Sequence, residues 1–342
     1  RVGQKIRVKR GASIVFEGII YERRKRQESG VLEVDATAYS ELIAYDRHVV
    51  YRMYDTGTTA GAIIRDLAGL ESDVIVDADD GPALNSPWEI QNETALKIMQ
   101  SVARGTNYYL RMRPALSYLS FDGVDDRIVV PHSDLLNVQS GNKITIMIWA
   151  YLTGWQSGYP VGVLIDKRSE LTANYNWEYN STLIKMRIHA NNNLYVVSVP
   201  HNLNNLNCYA MVLNGSRLEG YLNGELKASR NDVAATTGNN RNLHIGETIS
   251  GMFRIAGRIY QVLIYSRPLT ADEVERNYDN PDTPITNGLV LWFRFDEGRG
   301  DTVYDRSGNN NNGTIYGATW GLQKNPPFAN TKLLEFKPKV VA

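Results

Sequence analysis

The sequence predicts a mainly β protein in which a small α+β domain, a β-barrel with two helices, is interrupted by a large β-sandwich. From Leu116 to Trp320, short apolar segments recur at close spacing between Gly, Asn and Asp turn signals, the patterning of a sandwich. Two long helical periods occur before residue 114. The segments NYYLRMRP (107–114) and ANTKLLEFKPKVV (329–341) alternate polar and apolar residues and, joined directly, would read as a hairpin. The expected organisation is 1–114 plus 327–342 as one discontinuous domain, with 115–326 inserted in that hairpin loop. Loop tips accept such insertions when the guest's ends are close.

In chain order, residues 4–10 and 13–22 alternate around Gly11 and predict a hairpin, and 31–37 a further strand. A short helix is expected from Tyr39 to Tyr45, and a return to strand from His48 to Met53. Ala60, Ile63, Ile64, Leu67 and Ala68 share one helical face, with Thr58 as the expected cap and Gly69 as the stop. A second helix is expected from Glu93 to Arg104, capped by Asn92, with Leu96, Met99 and Ala103 buried. Beyond Leu116 the expected strands are 118–122, 127–131, 143–152, 161–167, 183–189, 193–199, 208–213, 217–222, 242–246, 254–265, 289–296 and 313–320. Asn214-Gly215 and Asn223-Gly224 read as hairpin turns. Thr270 and Glu273 have the spacing of a capping box for a short helix.

Bulk numbers narrow the function. Lys+Arg and Asp+Glu both total 37 in 342 residues, so the net charge is zero, which speaks against nucleic acid as the main partner. No apolar run approaches the ~20 residues that span a bilayer. The run Arg23-Arg24-Lys25-Arg26 is expected at a solvated hairpin tip or a subunit contact. One cysteine, Cys208, allows no intrachain disulfide and is expected to be buried and inert. The chain opens on Arg1, so it is expected to be an excerpt or a processed form.

Two stretches carry family resemblances. YLSFDGVDDRIVVP (118–131), KITIMIWAYL, NCYAMVLNGSRLEGYLNGELKAS, NLHIGE and FRIAGRIYQVLIYSRPLTADEVERNY resemble successive pieces of the laminin-G/concanavalin-A-like sandwich, a jelly roll. LVLWFRFDEG (289–298) resembles a piece that usually comes first in that family; here it comes last. The resemblance implies a circularly permuted sandwich whose final strand folds back to fill its own slot, which would otherwise leave an apolar sheet edge exposed; the alternative is that LVLWFRFDEG is the first strand of a second sandwich. Residues 15–54, VFEGIIYERRKRQESGVLEVDATAYSELIAYDRHVVYRMY, resemble the hub proteins of phage-like tails, the late-control group. That likeness implies a homo-oligomer formed through this domain and contacts with other tail or baseplate subunits.

Candidate chemistry follows. Sandwiches of this kind include endoglycosidases, which need two carboxylates across the scissile bond. No strand of the sandwich has acids at i and i+2 or i+4. Asp296 and Glu297 are adjacent and face opposite ways, Glu170 and Glu178 are expected in a loop, and Glu33 and Asp35 belong to the other domain. The five histidines, His48, His132, His189, His201 and His244, lack metal-ligand spacing. Arg299-Gly300-Asp301 is accounted for as a turn of the family's pattern.

A calcium ion is the expected cofactor, if there is one. Asp122, Asp125 and Asp126 cluster in one turn, with Asp296 expected beside them. The alternative is that these side chains cap a tight turn. The family usually carries an acid near Tyr260-Gln261, and this chain has none there. Trp155, Tyr159, Tyr175, Trp177 and Tyr179 are expected in two loops, with Asn176 among them, as a sugar platform of aromatic faces and amide groups. The alternative is a loop packed on itself or on a neighbouring subunit.

The expectation from sequence is a binding protein, not an enzyme. It is a structural component of a virus or phage-like tail or extracellular particle whose sandwich takes a surface glycan or protein receptor. The alternative is a secreted or cell-surface adhesin with a lectin-like module, with a glycoside hydrolase behind both.

Overall fold

The computed structural model describes residues 5–10, 13–28, 31–40, 48–70, 74–106, 108–168, 173–324 and 331–338. It divides into two compact units, Arg1–Leu116 with Gln323–Ala342, and Ser117–Leu322.

In the first unit, strands Lys5–Arg10, Ser13–Glu28 and Val31–Ser40 pair antiparallel in sequence order. The middle strand is long enough to place Arg23 to Arg26 inside it, opposite Ala36 to Glu33, so this basic run is not a hairpin tip. The same ladder carries Tyr39 and Ser40, paired with Ile19 and Gly18, where a short helix was expected to begin; 41–45 lie outside the described residues. Pairing joins chain neighbours only, so among the described residues this sheet is open rather than a barrel.

Strands Val49–Tyr54 and Trp88–Thr94 form a separate pair. Helix Ala60–Ala68 is capped by Thr59, not Thr58: its Oγ1 accepts from the Ala62 amide at 3.2 Å. Glu93 and Thr94 are held in the ladder opposite Val50 and Val49, so the second helix begins only at Ala95 and runs to Thr106. Its Ala95, Ile98, Met99, Val102 and Ala103 pack with Ile63, Ile64 and Leu67 of the first helix. Strand Thr331–Pro338 pairs antiparallel with Tyr108–Ala115 and parallel with Val74–Ala78.

The second unit has two sheets around one core. One runs, edge to edge, Asn193–Pro200, Leu183–Ala190, Ala173–Tyr179, Gly162–Asp166, Leu243–Ile245, Arg127–Val130, Gly313–Tyr316 and Thr302–Val303. The other runs Glu225–Arg230, Arg217–Leu222, Leu206–Asn214, Lys143–Trp155 and Ile255–Tyr265. Two short segments then share the free edge of Ile255–Tyr265. Leu119–Asp122 pairs with its first half and Leu289–Phe293 with its second. The LVLWF strand thus folds back onto this sandwich.

Local chemistry explains the turns. Asn223 and Gly224 both have positive φ, the primed geometry that matches strand twist. The preceding turn is Gly215-Ser216, one residue later than expected, because Asn214 still pairs with Arg217. Gly257 sits at φ 148, and a Cβ there would strike the Tyr151 carbonyl oxygen, so only glycine lets these two strands close. Helix Ala271–Asp279 has both bonds of its capping box between Thr270 and Glu273. Among the described residues no helix is long and apolar enough to cross a membrane.

Candidate functional site

Ala173–Tyr179 is a strand in the middle of the eight-stranded sheet, and its period of two decides what each side chain does. Tyr175, Trp177 and Tyr179 point into the core and are buried with Ile184, Met186 and Ile188. The Tyr175 hydroxyl donates to the Leu136 carbonyl at 2.9 Å. Asn176 and Glu178 take the opposite, outer face. The expected loop platform is therefore corrected: Tyr175, Trp177, Tyr179 and Asn176 belong to a strand, and all four are buried. Trp155 ends the strand Lys143–Trp155, half-buried, with its ring edge-on to Tyr179 and its indole N–H on the Tyr159 carbonyl at 2.7 Å. Tyr159, also half-buried, stacks edge-on with Phe253. Only these two of the six border solvent, where the end of that strand packs on the loop that follows it.

The outer face of the same sheet is polar. Cross-strand register aligns Val129, His244, Asp166, Asn176, Arg187 and Val196 in one row. Three carboxylates on this face hold cations. Asp166 accepts from Arg168 Nε at 3.1 Å. Glu178 takes a bidentate pair with Arg187 and lies 3.7 Å from Lys185. Glu247 lies 3.4 Å from Arg127, 3.3 Å from Arg254 and 3.2 Å from His244 Nδ1. Glu178 is thus on a strand and not in a loop; Glu170 lies outside the described residues. Burial pushes the Asp166 carboxyl up, against the pull of Arg168 and two backbone amides.

At the centre, one ring nitrogen of His189, Nε2, lies 2.7 Å from Asn176 Oδ1. Burial, then the charges of Arg168 and Arg187, push this imidazole down to about 4, so it is neutral at pH 7. A neutral ring that donates through Nε2 leaves Nδ1 as an acceptor. His189 Nδ1, Asn176 Nδ2 and Arg187 Nε are buried and have no partner. No sequence motif marks this group, because its members meet only through the pairing of two strands. The one local signal was the alternation of aromatic and polar residues through ANYNWEY.

At the end of strand Arg127–Val130, oxygens of Asp122, Asp125 and Asp126 lie within 4.8 Å of one another. Burial lifts the Asp126 carboxyl to about 6, and the charges of Asp122 and Asp125 add to the lift. Asp122 and Asp126 also act within the turn: Asp122 Oδ1 accepts from the Val124 amide at 2.7 Å and Asp126 Oδ2 from the Asp122 amide at 2.6 Å. Three hard carboxylates that repel one another suit a calcium ion by donor type. Asp296 is not one of them. It is buried between Arg306, at 2.9 Å, and Arg294, at 3.4 Å, because the strand that precedes it ends at Phe293.

Residues 122–275 match the family model of the concanavalin A-like lectin/glucanases superfamily. Among solved structures, a candidate carbohydrate-binding protein from Bacteroides ovatus has a TM-score of 0.50 at 12% identity, over 84% of this chain and 96% of that one. The heptameric pentraxin of Limulus polyphemus has a TM-score of 0.41 at 14% identity, over 61% and 95%. The botulinum neurotoxin serotype G binding domain has a TM-score of 0.41 at 14% identity, over 57% and 51%. At these identities the likeness is one of fold. No curated protein matches the chain. Over residues 122–275 the sandwich is thus similar in fold to that superfamily, and none of these comparisons points to a tail or baseplate hub.

Proposed function

We propose that this chain is a lectin-like protein that binds a surface glycan through the outer face of its eight-stranded sheet and does not turn it over. The observation that carries the reading is the match of residues 122–275 to the concanavalin A-like lectin/glucanases model, together with a polar outer sheet face whose Arg168, Lys185 and Arg187 are partly exposed. Lys185 and Arg187 stand on a rigid pair of strands and offer N–H donors of the kind that sugar hydroxyls accept. Turnover would need two carboxylates about 5–9.5 Å apart and free to exchange protons with substrate. Asp166, Glu178 and Glu247 are each engaged by arginine instead. The setting that fits is a secreted or cell-surface adhesin. A calcium ion at Asp122, Asp125 and Asp126 would fix the adjoining turn.

The test is binding of the full chain to immobilised polysaccharides, read together with release of reducing sugar. Saturable binding without release supports the reading. Release by the wild type that is lost in Glu178→Gln would replace it with hydrolysis.

A second reading, a homo-oligomeric subunit of a tail-like particle, is supported by the resemblance of residues 15–54. It is also supported by the pairing of Thr331–Pro338 with Tyr108–Ala115, as if the sandwich were inserted in that hairpin. Its test is the molar mass of the chain in solution, where a monomer counts against it.

A further inference from the structure

We propose that the glycan taken by this face is anionic, carrying carboxylate or sulfate groups; this rests on the glycan-binding reading above. The observation is the order of depth within the ion pairs. Asp166 is fully buried, whereas its partner Arg168 is 24% exposed. Glu247 is 3% exposed beneath Arg127 at 31% and Arg254 at 19%. Glu178, at 14%, lies deeper than Lys185 at 37% and is level with Arg187. In the first two groups the carboxylate is the floor and the cation the surface.

The composition of the face points the same way. Arg127, Arg168, Lys185, Arg187 and Arg254 outnumber Asp166, Glu178 and Glu247 in a chain whose net charge is zero. A guanidinium has five donors, and Arg168 spends only Nε on Asp166 among the described residues, so both Nη groups remain to be used. A buried carboxylate behind Arg168, and a half-buried one beside Arg187, fixes each guanidinium plane in advance, which lowers the cost of ordering it around an incoming anion. His189 stays uncharged between Arg168 and Arg187, so the positive charge of the face is carried by the more exposed cations alone. The acidic turn Asp122, Asp125 and Asp126 lies at the Arg127 end of the face and repels anions there. The anion seat is therefore at Arg168, Arg187 and Lys185.

The experiment uses the full chain with three probes, polygalacturonate, its fully methyl-esterified form and dextran sulfate, each at low and high salt. Esterification keeps the sugar sequence and removes the charge. We expect one acidic polymer to bind, the ester to bind at least about tenfold more weakly, and the affinity to fall with salt. Arg168→Gln and the milder, surface-exposed Lys185→Gln should each lose about tenfold on the acidic polymer. Polygalacturonate alone would mark a carboxylate seat, and dextran sulfate alone a sulfate seat. An ester bound as tightly as the acid overturns the inference and leaves glycan binding standing. Acidic binding unchanged in both variants overturns it as well. A folded chain that takes none of the three overturns both.

Discussion

Trp177→Ala separates a core residue from a sugar platform. The indole is fully buried in the middle of the eight-stranded sheet, between Tyr175 and Tyr179 on its own strand and opposite Met186. Truncating a buried tryptophan costs about 3–5 kcal/mol, because apolar area is lost and the cavity collapses only in part. For a unit of this size that lowers the melting temperature of the sandwich by about 10 °C. Trp177→Phe makes the reasoning sharper. The indole Nε1–H is buried without a partner, a penalty of about 1–3 kcal/mol that phenylalanine removes while leaving a smaller void. The two effects oppose, so the phenylalanine variant should lie within about 1 kcal/mol of the wild type. The assay is denaturant unfolding of the full chain, followed by tryptophan fluorescence and far-UV dichroism, for wild type and both variants. An alanine variant as stable as the wild type that has lost glycan binding would refute the core assignment.

Three more outcomes are expected. The Asp126 carboxyl should titrate near 6 by carbon-detected NMR, above its unfolded value. The folded state then holds the extra proton between the two values, so stability falls as pH rises through that window, and Asp126→Asn flattens the slope. Added calcium should bring the titration down, and no change at millimolar calcium would leave the turn as a cap only. Gly257→Ala forces a side chain against the Tyr151 carbonyl at a left-handed φ and should cost about 2–3 kcal/mol, read by unfolding midpoint; a neutral result would contradict the close strand approach. Thr270→Ala removes one half of the capping box and should cost about 1 kcal/mol, and Thr270→Ser should restore most of it.

The features legible in the sequence are those fixed by neighbours. Thr270 and Glu273 announced their capping box because both partners lie within one turn of helix. KITIMIWAYL announced a buried strand because its apolar run is unbroken. ANYNWEY misled for a physical reason: asparagines usually signal turns, yet here they alternate with aromatics and are buried on the outer face by partners from a neighbouring strand and a loop. The second helix was placed too early because Glu93 and Thr94 suit a helix start but are claimed by pairing with Val50 and Val49. The carboxylate-arginine groups could not be read at all. Glu247 meets Arg127 from 120 residues away in sequence, and nothing local to either marks the other.

The shared edge of Ile255–Tyr265 has a consequence for how the protein comes into being. A growing chain emerges from its N-terminus, so Val262–Tyr265 is made well before Leu289–Phe293, the segment that covers it. Through that interval the nascent sandwich carries an open ladder of strongly apolar residues, the condition in which strands find the wrong partner. Closure also joins residues far apart in sequence, since Phe293 completes an edge that Leu119 began, and such non-local pairing is slow. Folding therefore ends at the seam where the two segments meet, and a ribosome-stalled chain ending before Leu289 should need a chaperone to stay soluble.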